Sequence, residues 1–216
     1  MLRCAGWVAA ALAVSVPGQT LGATISYTRS VELQPTDWVQ NLYIPKFDPA
    51  AGHLTGISVD FAGTLDATAY YENLDVKEHN IELDMSATIS LLRPDLTPLA
   101  ITVPALTLQE KVGAYDDSID FGGLSGSTVR QTIDNHDPYY LHPGTSDFDL
   151  YVGLDTLVLP VTAIGNARGT GPVDWVVGFN MLASAQYTVV YRYIPAPEPA
   201  TAGLLLLALG AAAAAR

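Results

Sequence analysis

Ile81, Leu83, Met85, Ala87, Ile89 and Leu91 alternate without a break with Glu82, Asp84, Ser86, Thr88 and Ser90. Successive side chains on a strand point to opposite faces, so this stretch predicts a β-strand with one dry and one wet face. Ile57, Val59 and Phe61 alternate in the same way with Ser58 and Asp60, and Tyr187, Val189, Tyr191 and Tyr193 repeat the pattern. Further strands are expected over 24–31, 38–44, 68–74, 99–108, 128–133 and 154–164. Turn formers separate them, among them Asp48-Pro49, Pro94-Asp95, Gly122-Gly123 and Gly169-Thr170-Gly171-Pro172. Many short strands, one-sided alternation and no amphipathic helix point to antiparallel sheets packed face to face. The expected fold is all-β, a single antiparallel β-sandwich of jelly-roll type over residues 24–194, with a barrel as the alternative.

Both ends of the chain depart from this pattern. Residues 1–23 have the order of a signal peptide: Arg3, an apolar stretch over 7–16, a Pro17-Gly18 break, then Leu21-Gly22-Ala23 with a small residue at the end. The one cysteine, Cys4, lies in this leader, and no apolar stretch precedes it as at a lipoprotein attachment site. A processed chain without it builds no disulfide, iron–sulfur cluster or cysteine–zinc site. At the other end, Pro195, Pro197 and Pro199 stop a strand and hold the chain extended. An uncharged Leu/Ala run follows and closes on Arg216. About 16 residues make roughly 24 Å of helix, short of the ~30 Å hydrocarbon core. Such a tail suits transient rather than lasting membrane insertion, and the terminal Arg216 retains it by the positive-inside rule.

Pro197-Glu198-Pro199, the apolar run and the basic last residue resemble the PEP-CTERM sorting signal. The resemblance implies export in a Gram-negative bacterium that makes extracellular polysaccharide. It also implies recognition by an exosortase, which cuts near the tripeptide and delivers the protein to the cell surface or the biofilm matrix. Signals of this family usually end in several arginines, whereas here Arg216 stands alone. The body is similar to the choice-of-anchor E domain. The similarity rests on Phe47-Asp48-Pro49, Leu54-Thr55-Gly56-Ile57-Ser58-Val59, Glu72-Asn73-Leu74 and residues 83–91, together with Asp120-Phe121-Gly122-Gly123-Leu124-Ser125-Gly126 and the closing tyrosine-rich strand. It covers nearly all of 24–194 and implies extracellular display, with no established chemistry.

Between Arg3 and Arg216, eight basic side chains face 22 acidic ones. Such a surface repels nucleic acid and anionic lipid headgroups, because both are bound through Lys and Arg. It favours solubility and tolerates divalent cations. Asp116, Ser118 and Asp120 place oxygens at alternate positions before Gly122-Gly123, a spacing that suits calcium, although the loop is not an EF-hand. The alternative is a plain hairpin turn. His136 and His142 lie in an acidic, aromatic stretch over 134–149, read as a loop; His53 and His79 read as solvated loop residues. Gly123-Leu124-Ser125-Gly126-Ser127 lacks the second glycine of a nucleophile elbow, and neither a phosphate-binding loop nor H-E-x-x-H occurs. No catalytic residue is assigned. Tyr70-Tyr71, Tyr139-Tyr140, Trp38 and Trp175 are candidates for stacking on sugar rings, against the commoner role of aromatic packing.

The leading expectation is therefore a non-catalytic surface or matrix protein, processed by an exosortase. A carbohydrate-binding module, with or without calcium, is the second reading. A glycoside hydrolase is the third, since many carboxylate pairs are available.

Overall fold

The computed structural model describes residues 22–196. The leader over 1–21 lies outside the described residues. So do Pro197, Glu198, Pro199, the expected apolar helix and Arg216. Among the described residues no helix is long and apolar enough to cross a membrane.

The described chain forms nine strands: β1 (Ala23–Pro35), β2 (Trp38–Pro45), β3 (Gly52–Asn73), β4 (His79–Leu92), β5 (Pro98–Thr102), β6 (Ala105–Val112), β7 (Gly126–Leu141), β8 (Thr156–Thr170) and β9 (Trp175–Pro195). Short 3-10 turns at Pro49–Ala51 and Phe148–Tyr151 interrupt the connections. One sheet has the order β1-β9-β3-β7. The other has β2-β8-β4-β5, with β6 also paired to β4. All these pairings are antiparallel. They nest: β1 with β9, β2 with β8, β3 with β7, and β4 with β5 and β6. A long hairpin rolled up in this way is a jelly roll, which settles the sandwich over the barrel.

Several expected elements have different bounds. The separate strands expected near 57–61 and 68–74 are one strand, β3, paired on both sides along most of its length. The strand expected over 99–108 is two, because Pro104 has no N–H for the ladder. Its carbonyl instead accepts from the Ala87 N–H at 3.1 Å. The acidic stretch read as a loop over 134–149 is strand as far as Leu141. His53 likewise lies within β3, although it is exposed. The sandwich begins at Ala23, opposite Tyr193, one residue before the expected boundary.

The inward faces meet in one core. Ile57, Val59, Phe61 and Leu65 of β3 and Tyr187, Val189 and Tyr191 of β9 pack against Leu83, Met85, Ile89 and Leu91 of β4 and Leu157, Leu159 and Val161 of β8. Tyrosine is the unusual component, because a buried phenol must find a hydrogen-bond partner. The hydroxyls of Tyr139, Tyr151 and Tyr187 form a chain, with 3.1 Å between the first two and 2.7 Å between the last two. Tyr191 donates to the Pro45 carbonyl at 2.9 Å, and Tyr71 donates to Glu110. Arg93 locks the connection after β7 to the end of β4 through a fork on Asp147, at 2.8 and 2.7 Å. This guanidinium holds the Asp147 carboxyl below the ordinary range.

Burial raises the pKa of each of these phenols, because it disfavours the charged phenolate. Tyr71 is pushed up to about 12, by burial first and by its bond to Glu110 second. Tyr139, Tyr151, Tyr187 and Tyr191 are also raised, chiefly by burial. Unfolded tyrosine ionises near pH ~10. A group whose folded pKa is raised contributes stability that is complete below the unfolded value and is lost as pH rises toward the folded one. Stability is therefore expected to hold up to about pH 10 and then fall steeply. Urea midpoints measured at rising pH check this, and the phenolate absorbance of the buried tyrosines is expected to appear together with unfolding.

Candidate functional site

Beyond the bulge at Leu54/Gly56 the even-numbered residues of β3 point away from the core, and their neighbours on β7, β9 and β1 share that face through the ladder. The outer face of this sheet mixes polar side chains with apolar ones such as Pro138, Tyr140 and Val190. It divides into a covered half and an open half.

Glu72 marks the covered half. Its parity aims it outward, yet it is completely buried. The connection between β6 and β7 folds over it: Phe121 donates its N–H to Glu72 at 2.8 Å, and the Ser125 hydroxyl donates at 2.5 Å. Next to it, the Asn73 amide donates to the carbonyls of Lys77 at 2.8 Å and Gly113 at 2.7 Å, and its N–H reaches the Ser125 carbonyl at 2.8 Å. A Cβ at Gly126 would collide with the Glu72 carboxylate, so glycine allows the close approach. The two phrases Glu72-Asn73-Leu74 and Asp120 to Gly126, far apart in the chain, are thus one latch. Ser125 is buried and its hydroxyl is committed to this latch. Under the same cover, Tyr70 meets the Phe121 ring edge-on at 5.1 Å. Asp66 lies at the border, with Arg130 donating to it at 2.9 and 2.5 Å and holding its carboxyl below the ordinary range.

The candidate calcium ligands Asp116, Ser118 and Asp120 lie in the exposed connection between β6 and β7. Asp116 accepts from the Ser118 N–H at 3.3 Å, and Asp120 from the Gly122 N–H at 3.0 Å, so both carboxylates cap their own turns. Among the described residues no group of three or more His, Cys, Asp or Glu side chains could hold a metal ion. His79 pairs with Asp75 at 3.0 Å and is half-buried, not solvated.

The open half runs from Ser58 to Thr64. Two adjoining depressions occupy it, within the roughly 300–1,000 Å³ usual for small-ligand sites. One, of about 490 Å³, is lined by Tyr140 and Pro138 of β7 and Val190 and Thr188 of β9, with Ser58 and Asp60 of β3 between them. The other, of about 530 Å³, continues along β3 past Ala62 and Thr64 to Asp134, His136, Gln186 and Ser30. His136 Nδ1 lies 3.5 Å from Asp60, and Thr64 donates to Asp134 at 2.6 Å. Tyr140 is oriented from three sides. Its ring crosses β3 at Gly56, where a Cβ would collide with the phenol. His142 packs edge-on against it at 4.4 Å, and the Arg192 guanidinium lies 5.4 Å from its centre.

Of the six aromatic residues proposed from the sequence for sugar stacking, Tyr140 is the one that presents an exposed ring on this face, at 39% exposure. Tyr71 and Trp38 are buried, and the Trp38 Nε1–H donates to the Ala183 carbonyl at 3.2 Å. Tyr139 belongs to the buried hydroxyl chain, Tyr70 to the covered half, and Trp175 lies against Gly169 and Gly171. Sequence reasoning missed Asp60, His136 and Gln186 as neighbours, because they come from three strands. The signal for Tyr140 over Tyr139 was parity along β7, once Leu141 is known to face inward.

No family model and no curated protein matches this chain. Among solved structures, one of the infectious bursal disease virus Gx strain is 15% identical, covering 81% of this chain and 38% of that one, with a TM-score of 0.23. This chain therefore spans well under half the length of that relative. Desmodium yellow mottle tymovirus is 9% identical over 92% of this chain and 95% of its own, with a TM-score of 0.22. The Eiger TNF from S. frugiperda is 10% identical over 82% and 96%, with a TM-score of 0.21. Similarity at this level carries no argument about the chain, and the jelly-roll assignment rests on the strand order alone.

Glu72→Ala would strand the Phe121 N–H and the Ser125 hydroxyl in a buried site. It is expected to lower stability by about 2–3 kcal/mol in urea unfolding, and to speed amide exchange over 113–125 while leaving exchange in the centre of β4 slow.

Proposed function

We propose that this is an exported, non-catalytic surface or matrix protein, delivered by exosortase processing of its C-terminal signal. One geometric observation supports the reading. Ala23 lies in register with Tyr193, and Gly52 with Pro195, so the segments before β1 and after β9 leave from the same end of the sandwich. The Ala196 N–H donates to the Ala51 carbonyl at 3.0 Å, which holds the exit point against the body. A tail leaving there can be inserted, cut or transferred without unpairing a strand. The Glu72 latch lies at the opposite end of β3, and the open half of the face lies between it and the tail. The residues that carry the sorting half, Pro197, Glu198, Pro199 and Arg216, are read from the sequence.

A second reading, contact with extracellular polysaccharide, is favoured by the open half-face, where an oriented tyrosine lies near polar side chains that include Ser58 and Gln186.

The full chain is to be expressed in matched strains with and without an exosortase, and its intact mass measured. Loss of the segment beyond the Pro197-Glu198-Pro199 region is expected only where the exosortase is present. An identical C-terminus in both strains would refute the proposal.

A further inference from the structure

Four observations bear on what the open half-face takes. Part of its lining is apolar: Tyr140 lies across Gly56 beside Pro138, with Val190 on the other side of β3. This ring is held before any ligand arrives, so little side-chain entropy remains to be lost on stacking. The walls are different. Gln186 is exposed, and its amide makes no side-chain hydrogen bond among the described residues; the same holds for the hydroxyl of Ser58. By contrast, most polar groups under the covered half are committed to internal bonds. Thr64, Asp134 and Thr188 on this face are bonded to neighbours, so Gln186 and Ser58 are the groups it leaves free beside the oriented ring for an external polar partner.

Shape and charge narrow the partner further. Ser58, Asp60, Ala62 and Thr64 are successive outward positions on one strand, so the two depressions together run about 20 Å along β3. Such a trough takes a segment of a linear chain better than a compact solute. Its acceptors include the carboxylates of Asp60 and Asp134, which form charge-assisted bonds with hydroxyl donors and repel other carboxylates. Arg192 is the nearby cation; its guanidinium lies over the Tyr140 ring at the end of the trough, so a sugar that stacks there displaces it. Nucleic acid and polyuronates are disfavoured on the same ground.

We infer that the outer face of the β1-β9-β3-β7 sheet binds a segment of an uncharged polysaccharide laid along β3, with one pyranose ring stacked on Tyr140 and its neighbours bonded by Asp60, His136 and Gln186. The inference rests on the polysaccharide-contact reading above and names its substrate class. Tyr140 supplies the apolar platform. Asp60 and Gln186 bond sugar hydroxyls, and His136, held near Asp60, borders the second depression.

The test is affinity electrophoresis of the full chain through gels containing galactomannan or hydroxyethylcellulose as uncharged polymers, and alginate as a polyuronate. Retardation by at least one uncharged polymer and none by alginate is expected. Tyr140→Ala and Gln186→Ala should each weaken binding roughly ten-fold, Tyr140→Phe should keep it, and Tyr43→Ala, on the outer face of the opposite sheet, should not alter it. Gln186 is exposed and without side-chain partners, so its variant remains informative if Tyr140→Ala fails to fold. Binding to an uncharged polymer that neither Tyr140→Ala nor Gln186→Ala weakens would overturn this site. Binding to alginate alone would overturn the uncharged class but leave polysaccharide contact standing. Retardation by none of the three would overturn both.

Discussion

The 22 residues of β3 are the constraint on which the rest depends. This strand is paired with β9 on one side and β7 on the other along most of its length. Both neighbours are therefore held to its register, and a slip of one residue would turn every core side chain to solvent. Ile57, Val59, Phe61 and Leu65 face inward because the core needs them there. The same parity obliges Ser58, Asp60, Thr64, Asp66 and Tyr70 to share the outer face. The candidate binding face is thus a by-product of the packing rule that builds the core.

That face is divided by one buried carboxylate. Glu72 has outward parity and would be solvated if the sheet stood alone. The connection over 113–125 instead supplies it with a backbone N–H and a serine hydroxyl, and Asn73 fastens the rest. A charged group in a dry site is tolerated only when it is fully bonded, so the latch must close for the fold to be stable. Its closure covers Tyr70 and leaves Tyr140 open. Two tyrosines of the same face therefore have different roles, set by which end the loop reaches.

Tyrosine is also the signature of the core. Aromatic bulk fills the space between the sheets, and the hydroxyl chain from Tyr139 through Tyr151 to Tyr187 satisfies the polar ends. Tyr151 joins this chain from a 3-10 turn, which Asp147 and Arg93 hold in place. The connection after β7 is fixed by a salt bridge and by buried phenols together, not by regular secondary structure.

Alternation determined that the chain is all-β with antiparallel sheets, and it placed β2 and β4 almost to the residue, because a period of two is a local property of neighbouring side chains; the strand order then decided sandwich over barrel. The proposed processing signals at both ends also rest on local order, since charge, apolar length and Pro-Glu-Pro lie next to one another. The continuity of β3, the extension of β7 past Ile133 and the break at Pro104 were not legible in that way. Whether a polar stretch pairs or loops depends on what lies beside it. The spacing of Asp116, Ser118 and Asp120 suggested a cation site, and one oxygen each of Asp116 and Asp120 caps its own turn. The meeting of Glu72 with Phe121 and Ser125, and the exposure of Tyr140 rather than Tyr70, were decided by tertiary structure. Both depend on contacts between residues some fifty or more positions apart, whose separation in space no local pattern records.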